Sequence, residues 1–315
     1  MGQSMHHVDA GEKVTGEARY AGDIQWPGML YARILRPPSH FSELTSVDGS
    51  EAEKMDGVEV VRDGDLLAVL HELPDMADIA LSKVKAEFKT NDPDIHDRNI
   101  FEHLRNSVTD ISVVDEGGDL KTGEEQSEKI FDSAYLDGYK AHAPIENHTA
   151  TAVLEDGKMK VWASAQSPFR LKSQIAELLD MPEDNVHLQQ IFVGGGFGGK
   201  SPGQQAHEAA RLAKITGKPV QVAWTRREEF FYDTFRPAAV VNIKSGINGS
   251  GQISMWDYDV LFAGSRGSSQ FYDIPHHKTV SSGTERGEPS AHLFGTGAWR
   301  APANNTNTFA RESQI

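Results

Sequence analysis

A run of five glycines around one phenylalanine, residues 194–199, limits most strongly how this chain can fold. The run follows a segment with strand character, residues 186–193, and precedes one with helix character, residues 204–215. Because glycine has no Cβ, the backbone amides of such a loop can approach a ligand that a side chain would obstruct. The pattern therefore predicts a strand–loop–helix turn that suits an anion or a flat polar ring.

The same loop fits the pattern of a nucleotide-binding P-loop. Gly194 is followed by four residues, then by Gly199 and Lys200, and Ser201 completes the string. However, Pro202 follows at once, and no later aliphatic strand ends in an aspartate suited to holding magnesium. The strand also comes late in the chain instead of opening a parallel sheet. A P-loop nucleotide-binding module and a tight structural turn remain as alternatives.

The charge of the chain excludes several classes of partner. Its 315 residues include 46 acidic and 31 basic side chains, for a formal charge of −15. Nucleic-acid binding depends on clustered Lys and Arg, so we expect no nucleic-acid partner. No apolar run approaches the ~18–20 residues that span a bilayer, and no secretory leader is recognisable. We expect no transmembrane segment, no signal peptide in this chain, and a cytoplasmic or periplasmic location.

The chain contains no cysteine. This excludes disulfides, thiolate nucleophiles, zinc–thiolate sites and cysteine-ligated iron–sulfur clusters from these residues. If the protein carries out redox chemistry, its electrons must therefore leave through another polypeptide or a diffusible acceptor.

The N-terminal third of the sequence indicates a small α+β unit. An amphipathic helix is predicted over residues 75–88, after Pro74. Residues 92–123, rich in Asp, Glu, Asn and Gly, are predicted to form a long surface connection or domain linker. Strands are predicted at residues 29–35, 58–61 and 66–70.

Better defined units follow. The pair Asp156-Gly157 predicts a tight hairpin turn between two strands, residues 150–154 and 159–163. Ser167 and Pro168 predict the start of a helix that ends near residue 180, with Phe169, Ile175, Leu178 and Leu179 along one face. A second hairpin is predicted from residues 239–244 to residues 253–260, and the last residues, 311–315, are expected to lie within a helix that continues in a longer chain.

Several strings occur in a fixed order along the chain. In that order they are KVTGEARYAGD (13–23), PGML (27–30) with LRPP (35–38), AHAPIE (141–146), AQSP (165–168), the glycine run with Lys200, and WRAP (299–302). Together they resemble the molybdenum-cofactor subunit of the xanthine dehydrogenase and aldehyde oxidase family. The WRAP string is most similar to the branch that includes isoquinoline 1-oxidoreductase and related aldehyde-oxidising enzymes.

The resemblance implies a fold and a reaction. The fold class is α+β, with a hammerhead-like domain over residues 1–125 and the first part of a mixed-sheet molybdopterin-binding domain over residues 126–315. The implied reaction is oxidative hydroxylation of an N-heteroaromatic or an aldehyde, with water as the oxygen source and electrons passed to an iron–sulfur partner subunit. The implied cofactor is molybdopterin, the molybdenum cofactor, expected in a dinucleotide form and without a direct protein ligand to the metal.

The resemblance also assigns roles to residues. Gln166 would hydrogen-bond the cofactor near the molybdenum oxo ligand, the alternative being assistance to a helix cap. Arg300 would stabilise negative charge that develops on the substrate, with Phe197 and Trp299 beside it. Glu146 would orient the loop by accepting backbone hydrogen bonds. The cofactor-binding candidates are Gln166, Gly194, Gly195, Gly196, Phe197, Gly198, Gly199, Lys200 and Arg300, and the catalytic candidates are Gln166 and Arg300.

The sequence departs from the family pattern at several points. Ser201 stands where purine-hydroxylating members carry a glutamate, and Trp299-Arg300-Ala301 replaces their Phe-Arg-Gly, which argues against xanthine as substrate. No Gly-x-Gly-Glu segment supplies the family's general base, and no second loop of Gln-Gly-x-Gly type is present. The expected partners are therefore a C-terminal half or second molybdopterin subunit besides the iron–sulfur subunit. A non-catalytic cofactor-binding fragment is the remaining alternative.

Overall fold

The computed structural model describes residues 2–189, 191–283 and 291–315. These residues form two compact units that are interleaved along the chain. The first unit comprises residues up to Asp92, Ala143–Gly196 and Lys200–Phe231, and the second comprises Pro93–His142, Phe197–Gly199 and Tyr232–Ile315. The glycine run therefore contributes residues to both units. The contiguous domains expected at residues 1–125 and 126–315 stay a prediction.

The first unit is built on a seven-stranded sheet of mixed direction. Across the sheet the strands are β10 (Val186–Gln189), β9 (Lys158–Ala163), β8 (Thr149–Glu155), β11 (Val220–Ala223), β1 (Leu30–Ile34), β4 (Leu66–His71) and β3 (Glu59–Asp63). Two neighbouring pairs, β1 with β11 and β10 with β9, are parallel, and the others are antiparallel. A separate two-stranded sheet pairs β2 (Ser42–Asp48) with β5 (Lys85–Thr90).

The helices assigned to the first unit are α1 (Ala10–Thr15), α2 (Ser50–Glu53), α3 (Pro74–Lys83), α6 (Pro168–Leu178), α7 (Gln204–Thr216) and α8 (Arg226–Tyr232). Helices α2, α3, α6 and α7 contact strands of this sheet. Helix α7 packs on β8, β9 and β11 through a face rich in buried alanines, whose small side chains allow close approach of helix and sheet. The helix ends at Gly217, whose φ of 65° is the left-handed conformation typical of a glycine C-cap.

The second unit is built on a five-stranded sheet. Across that sheet the strands are β6 (Ile111–Gly117), β14 (His276–Ser282), β13 (Ile253–Leu261), β12 (Ala239–Ile247) and β7 (Lys129–Asp137). Its helices are α4 (Ile100–Asn106), α5 (Leu120–Glu125) and α9 (Asn304–Gln314). Trp256 and Tyr258 of β13 are fully buried in its core, and Ala310 of α9 packs in the same cluster.

Most predicted elements are confirmed. The strands predicted in the N-terminal third correspond to β1, β3 and β4, and both hairpins form. The first hairpin turns at Asp156 and Gly157 with φ of 50° and 72°, the left-handed pair that Asp-Gly favours. The α+β class with mixed sheets is also confirmed. Among the residues that the structure describes, none of the helices combines the length and the apolar character needed to cross a bilayer.

Four predictions about local structure are wrong. The helix predicted to residue 88 ends at Lys83, because the residues after it join β5 and pair with β2. The predicted connection at residues 92–123 contains α4, β6 and the start of α5, since β6 obtains its hydrogen bonds from the distant strand β14. Strand β10 ends at Gln189 instead of residue 193. Phe169 is 85% exposed, whereas Leu171 and Ile175 form the buried face of α6.

Candidate functional site

The glycine loop is anchored at both ends by Glu146. Its Oε2 accepts a hydrogen bond from the backbone N–H of Gly194 at 2.7 Å and lies 2.8 Å from Lys200 Nζ. The Glu146 N–H in turn donates to the Gly194 carbonyl at 3.2 Å. The Lys200 side chain is completely buried. The predicted role of Glu146, accepting a backbone hydrogen bond from the loop, is therefore confirmed.

Gln166 lies directly against the middle of the loop in the first unit. A Cβ on the buried Gly196 would overlap the Gln166 side-chain amide, so the close approach of this pair requires glycine. The Gln166 backbone N–H donates to the Lys200 carbonyl at 2.9 Å. Gln166 immediately precedes the N-cap residue of α6, Ser167, whose own side chain makes no capping hydrogen bond. The structure thus brings the predicted glutamine to the predicted loop.

Two consecutive amides of the loop in the first unit have no acceptor. Within the described part of the chain, no acceptor hydrogen-bonds the backbone N–H of Gly195 or Gly196. Phe197 has a φ of 55°, which is unfavourable for a residue with a Cβ and costs roughly 1–2 kcal/mol. Its ring is 46% exposed. A strained backbone with unsatisfied donors is typical of a binding loop.

The following glycines pack against a buried histidine in the second unit. His142 Nδ1 lies 2.9 Å from Asp233 Oδ2, and its Nε2 lies 2.9 Å from the Ala298 carbonyl oxygen. A Cβ on Gly198 would overlap that carbonyl, and one on Gly199 would overlap the Asp233 carboxylate. The turn at these two glycines is therefore fitted closely to the His142–Asp233 pair.

The predicted substrate-side residues of the second unit are also brought together. The Arg300 backbone N–H donates to the Phe197 carbonyl at 2.9 Å. Trp299 Nε1 donates to the Ala141 carbonyl at 3.1 Å, and the Arg236 guanidinium lies 5.2 Å from the Trp299 ring centre. The Arg300 side chain is exposed, and no carboxylate of the described residues forms an ion pair with its guanidinium. A guanidinium in this state can attract an anionic group of a ligand.

The first unit contains a cavity of about 540 Å³ beside the start of α6. Ala165 and Pro168, on either side of Gln166 in sequence, contribute to its wall together with the exposed Phe169. Most of the wall is apolar, and Lys172 and His187 are its two basic groups. The cavity is large enough for a small ligand.

A second buried histidine–carboxylate pair lies in the first unit. His148 Nδ1 is 2.7 Å from Glu229 Oε1, and the imidazole stacks on Trp224 with ring centres 4.8 Å apart. Burial raises the pKa of Glu229, but the hydrogen bond and charge of His148 outweigh it, so the pKa of Glu229 lies below its ordinary value. This pair fixes the chain at the start of β8.

Neither histidine–carboxylate pair is predicted from the sequence. His142 lies within the AHAPIE string without a predicted role, and His148 has no predicted role. Their partners, Asp233 and Glu229, follow 91 and 81 residues later. No local spacing connects residues so far apart, so a sequence pattern offered no signal for them.

Comparison with known proteins identifies the family. Residues 100–280 match the family described as the molybdopterin cofactor-binding domain. This chain is a member of that family. The matched residues include Gln166 and the whole glycine loop, whereas Trp299 and Arg300 lie beyond them.

Individual relatives agree with this membership. The molybdopterin cofactor-binding chain is 28% identical to a probable xanthine dehydrogenase subunit from Bacillus subtilis, with 80% of this chain and 39% of the relative covered. It is 27% identical to the nicotinate dehydrogenase large molybdopterin subunit of Eubacterium barkeri, covering 80% of this chain and 68% of the relative. The chain therefore spans well under half of the Bacillus subtilis protein.

A solved structure agrees at the level of the fold. Quinoline 2-oxidoreductase from Pseudomonas putida 86 superposes with a TM-score of 0.81 at 18% identity. The match covers 99% of the molybdopterin cofactor-binding chain and 47% of the quinoline 2-oxidoreductase chain. The same fold thus forms about half of a longer polypeptide there.

The residues of the loop suit a molybdenum–pterin group. The unsatisfied amides of Gly195 and Gly196 can donate to anionic or carbonyl oxygens, and the positions of Gly194 and Gly196 leave no room for a Cβ. The P-loop alternative fits less well, because Lys200 is buried on Glu146 and α7 begins only at Gln204, whereas a P-loop lysine opens its helix and reaches a phosphate.

Proposed function

We propose that this chain forms part of a molybdenum hydroxylase. The enzyme would oxidise an N-heteroaromatic compound or an aldehyde, take the oxygen atom from water and pass electrons to an iron–sulfur subunit. The dinucleotide form of the cofactor belongs to the same proposal. Membership of the molybdopterin cofactor-binding family supports it, and the relatives named above act on xanthine, nicotinate or quinoline by their names.

The observation that carries the proposal is the close approach of Gln166 to Gly196, next to the unsatisfied amides of Gly195 and Gly196 in the first unit. A Cβ on Gly196 would overlap the Gln166 side-chain amide. Backbone N–H groups without an acceptor form a preorganised donor set, which stabilises negative charge on a bound group without reorganisation. Such a set is suited to the polar ligands around a cofactor and has no evident use in packing.

Different residues of the chain would bind the cofactor, shield it from water and stabilise charge on the substrate. When bound, the cofactor would supply two-electron oxidation. Gln166 and the loop amides would hold it, Phe197 would shield one side from water, and the Arg300 guanidinium would stabilise negative charge on a heterocycle nitrogen or carbonyl oxygen. Lys200 and Glu146 would keep the loop in shape from inside the protein.

Turnover requires residues that this chain does not supply. The family's general base and second cofactor loop have no counterpart in its sequence, so a C-terminal half or a second molybdopterin subunit would contribute them. The coverage of 39% and 47% of longer relatives supports this division, and so does the shorter Eubacterium barkeri subunit, of which this chain covers 68%. By itself the chain would act as a cofactor-binding part.

The proposal is tested by the molybdenum content of the tagged chain, purified with its co-purifying proteins from a molybdenum-replete host and measured by elemental mass spectrometry. We expect molybdenum near one atom per chain, and iron only with a co-purifying subunit. A preparation with neither molybdenum nor a partner would contradict the proposal. Magnesium-dependent ATP binding that is lost in Lys200→Ala would instead favour a nucleotide-binding module.

A further inference from the structure

Both ring nitrogens of His142 face hydrogen-bond acceptors. Nδ1 lies 2.9 Å from a carboxylate oxygen of Asp233, and Nε2 lies 2.9 Å from the carbonyl oxygen of Ala298. A neutral imidazole has one N–H, so it would leave one nitrogen lone pair against an acceptor oxygen. Only the imidazolium donates to both partners. The side chain is fully buried, so water cannot replace either bond.

The two acceptors, Asp233 and Ala298, belong to segments that pack against the glycine turn. Ala298 directly precedes Trp299 and Arg300, and Asp233 accepts a further hydrogen bond from the Thr234 backbone N–H at 2.7 Å. Gly198 and Gly199 pack so closely on this arrangement that a Cβ at either position would overlap it. Movement of the imidazole would therefore displace the Ala298 segment and the glycine turn together.

We propose that His142 is a positioning residue, a buried imidazolium that fixes the Ala298 carbonyl and thereby places Arg300 beside Phe197. The importance of Arg300 in this inference rests on the proposed function. The protonation state and its effect on the backbone are properties of the chain alone. No family string assigns this role to the histidine.

The charges around His142 are consistent with a cation. Asp233, from the segment after α8, faces it with a carboxylate, while the glycine turn and Ala298 present backbone atoms. Burial disfavours the charge, but the hydrogen bond and negative charge of Asp233, with the carbonyl of Ala298, outweigh it and raise the pKa of His142. The charge is therefore present below the ordinary value of 6.5 and is lost only as pH rises through the raised pKa.

The second unit contains a matched control, His292. It is also buried, but its Nδ1 lies 2.7 Å from the Tyr139 hydroxyl, which can donate as well as accept. Burial, with a smaller contribution from His103, lowers the pKa of His292 to about 4. The two histidines should therefore differ in charge at neutral pH although both are enclosed by protein.

The protonation state can be measured by NMR of the chain with ¹⁵N-labelled histidine rings, with assignment from His142→Gln and His292→Gln. We expect both His142 nitrogens to remain protonated above the ordinary histidine pKa of 6.5 and at neutral pH. His292 should stay neutral over the same range. A His142 ring with one unprotonated nitrogen at neutral pH would overturn the inference.

The positioning role is measured by hydrogen exchange of the Arg300 amide, which donates to Phe197. We expect its protection factor to fall at least tenfold in His142→Gln and to stay unchanged in His292→Gln, with the β12 and β13 amides unaffected in both. In the wild type, protection should decrease at high pH together with the His142 charge. Unchanged Arg300 protection in His142→Gln, or loss of protection throughout the sheet, would refute positioning.

The NMR and hydrogen-exchange results can be interpreted whether or not the proposed function is correct. Both measurements use the chain without cofactor, so a wild-type chain purified with neither molybdenum nor a partner would contradict the proposed function and leave the charge of His142 decided by NMR. Conversely, a molybdenum-loaded wild type with a neutral His142 would support the function and refute the inference.

Discussion

The Lys200 ammonium lies 2.8 Å from Glu146 Oε2, with the lysine side chain entirely removed from solvent. Lys200, the lysine of the P-loop pattern, thus forms an ion pair in the interior of the protein. Its charge balances the carboxylate that also binds the Gly194 N–H. The loop is held in shape before any ligand arrives, which reduces the entropy that binding must overcome.

Removing this carboxylate charge should destabilise the fold. Glu146→Gln leaves a buried ammonium without its closest counter-charge, and we expect the free energy of unfolding in urea to fall by about 3 kcal/mol. The double variant with Lys200→Met should recover part of that loss, because no charge is then buried alone. Glu59→Gln, which breaks an exposed pair with Lys218, is the control and should change stability by less than about 1 kcal/mol. Equal losses of unfolding free energy in Glu146→Gln and Glu59→Gln would contradict a special role for the buried Glu146–Lys200 pair.

Gly196→Ala should separate cofactor binding from folding. The new Cβ displaces the Gln166 amide, the exposed end of a flexible side chain, so we expect the unfolding free energy to change by no more than about 1 kcal/mol. The molybdenum content of the purified protein should fall about tenfold, which requires a loss of more than about 1.4 kcal/mol of binding free energy because the wild type is expected to be nearly saturated. Gly138→Ala is the control, since a Cβ there meets no atom within 4 Å. Normal molybdenum in Gly196→Ala would show that the loop does not hold the cofactor.

Glu229 should make the stability of the protein depend on pH in the acid range. Because its folded-state pKa is lowered, its contribution is present above the ordinary value of 4.5 and is lost as pH falls through the folded value. We expect Glu229→Gln to be less stable than the wild type by about 3 kcal/mol near neutral pH, with the difference shrinking below pH 4.5. Urea unfolding over a pH series measures this, and the exposed Glu155→Gln serves as control. A difference independent of pH would contradict the charge effect.

The hairpin turn between β8 and β9 offers a test of backbone strain alone. Gly157 has a φ of 72° with no atom within 4 Å of a Cβ, so Gly157→Ala adds strain without a clash. We expect it to lower the unfolding free energy by about 1 kcal/mol. Gly138→Ala, at a position without positive φ, should leave the urea midpoint nearly unchanged. If both variants behaved alike, the left-handed turn would not be the cause.

The elements that the sequence predicted well depend on local conformation. The Asp156-Gly157 turn and the end of α7 at Gly217 each follow from the φ values that one or two residues prefer. Strand β6 could not be predicted in this way, because its residues are stabilised by pairing with β14 from a distant part of the chain. The helix predicted to continue to residue 88 failed for the same reason, since β5 pairs with β2.

The candidate site was partly predictable. The resemblance pointed to Gln166 and the glycine loop, and the structure brings Gln166 against Gly196. The resemblance also pointed to Glu146 as an acceptor for backbone hydrogen bonds of the loop, and its Oε2 accepts from the Gly194 N–H. The charge of His142 could not be inferred, because it depends on two acceptors, Asp233 and Ala298, that only the folded chain places around the imidazole.

The register of the seven-stranded sheet has a consequence for biosynthesis. Strand β1 pairs in parallel with β11, Leu30 opposite Val220, so one edge of β1 has no partner until a segment roughly 190 residues later has been translated. At about 5–20 residues per second, the nascent chain carries that open edge for roughly 10–40 s. Unpaired edges of this kind recruit other chains. We therefore expect slower translation without a holding chaperone to lower the yield of soluble protein, whatever the supply of molybdenum.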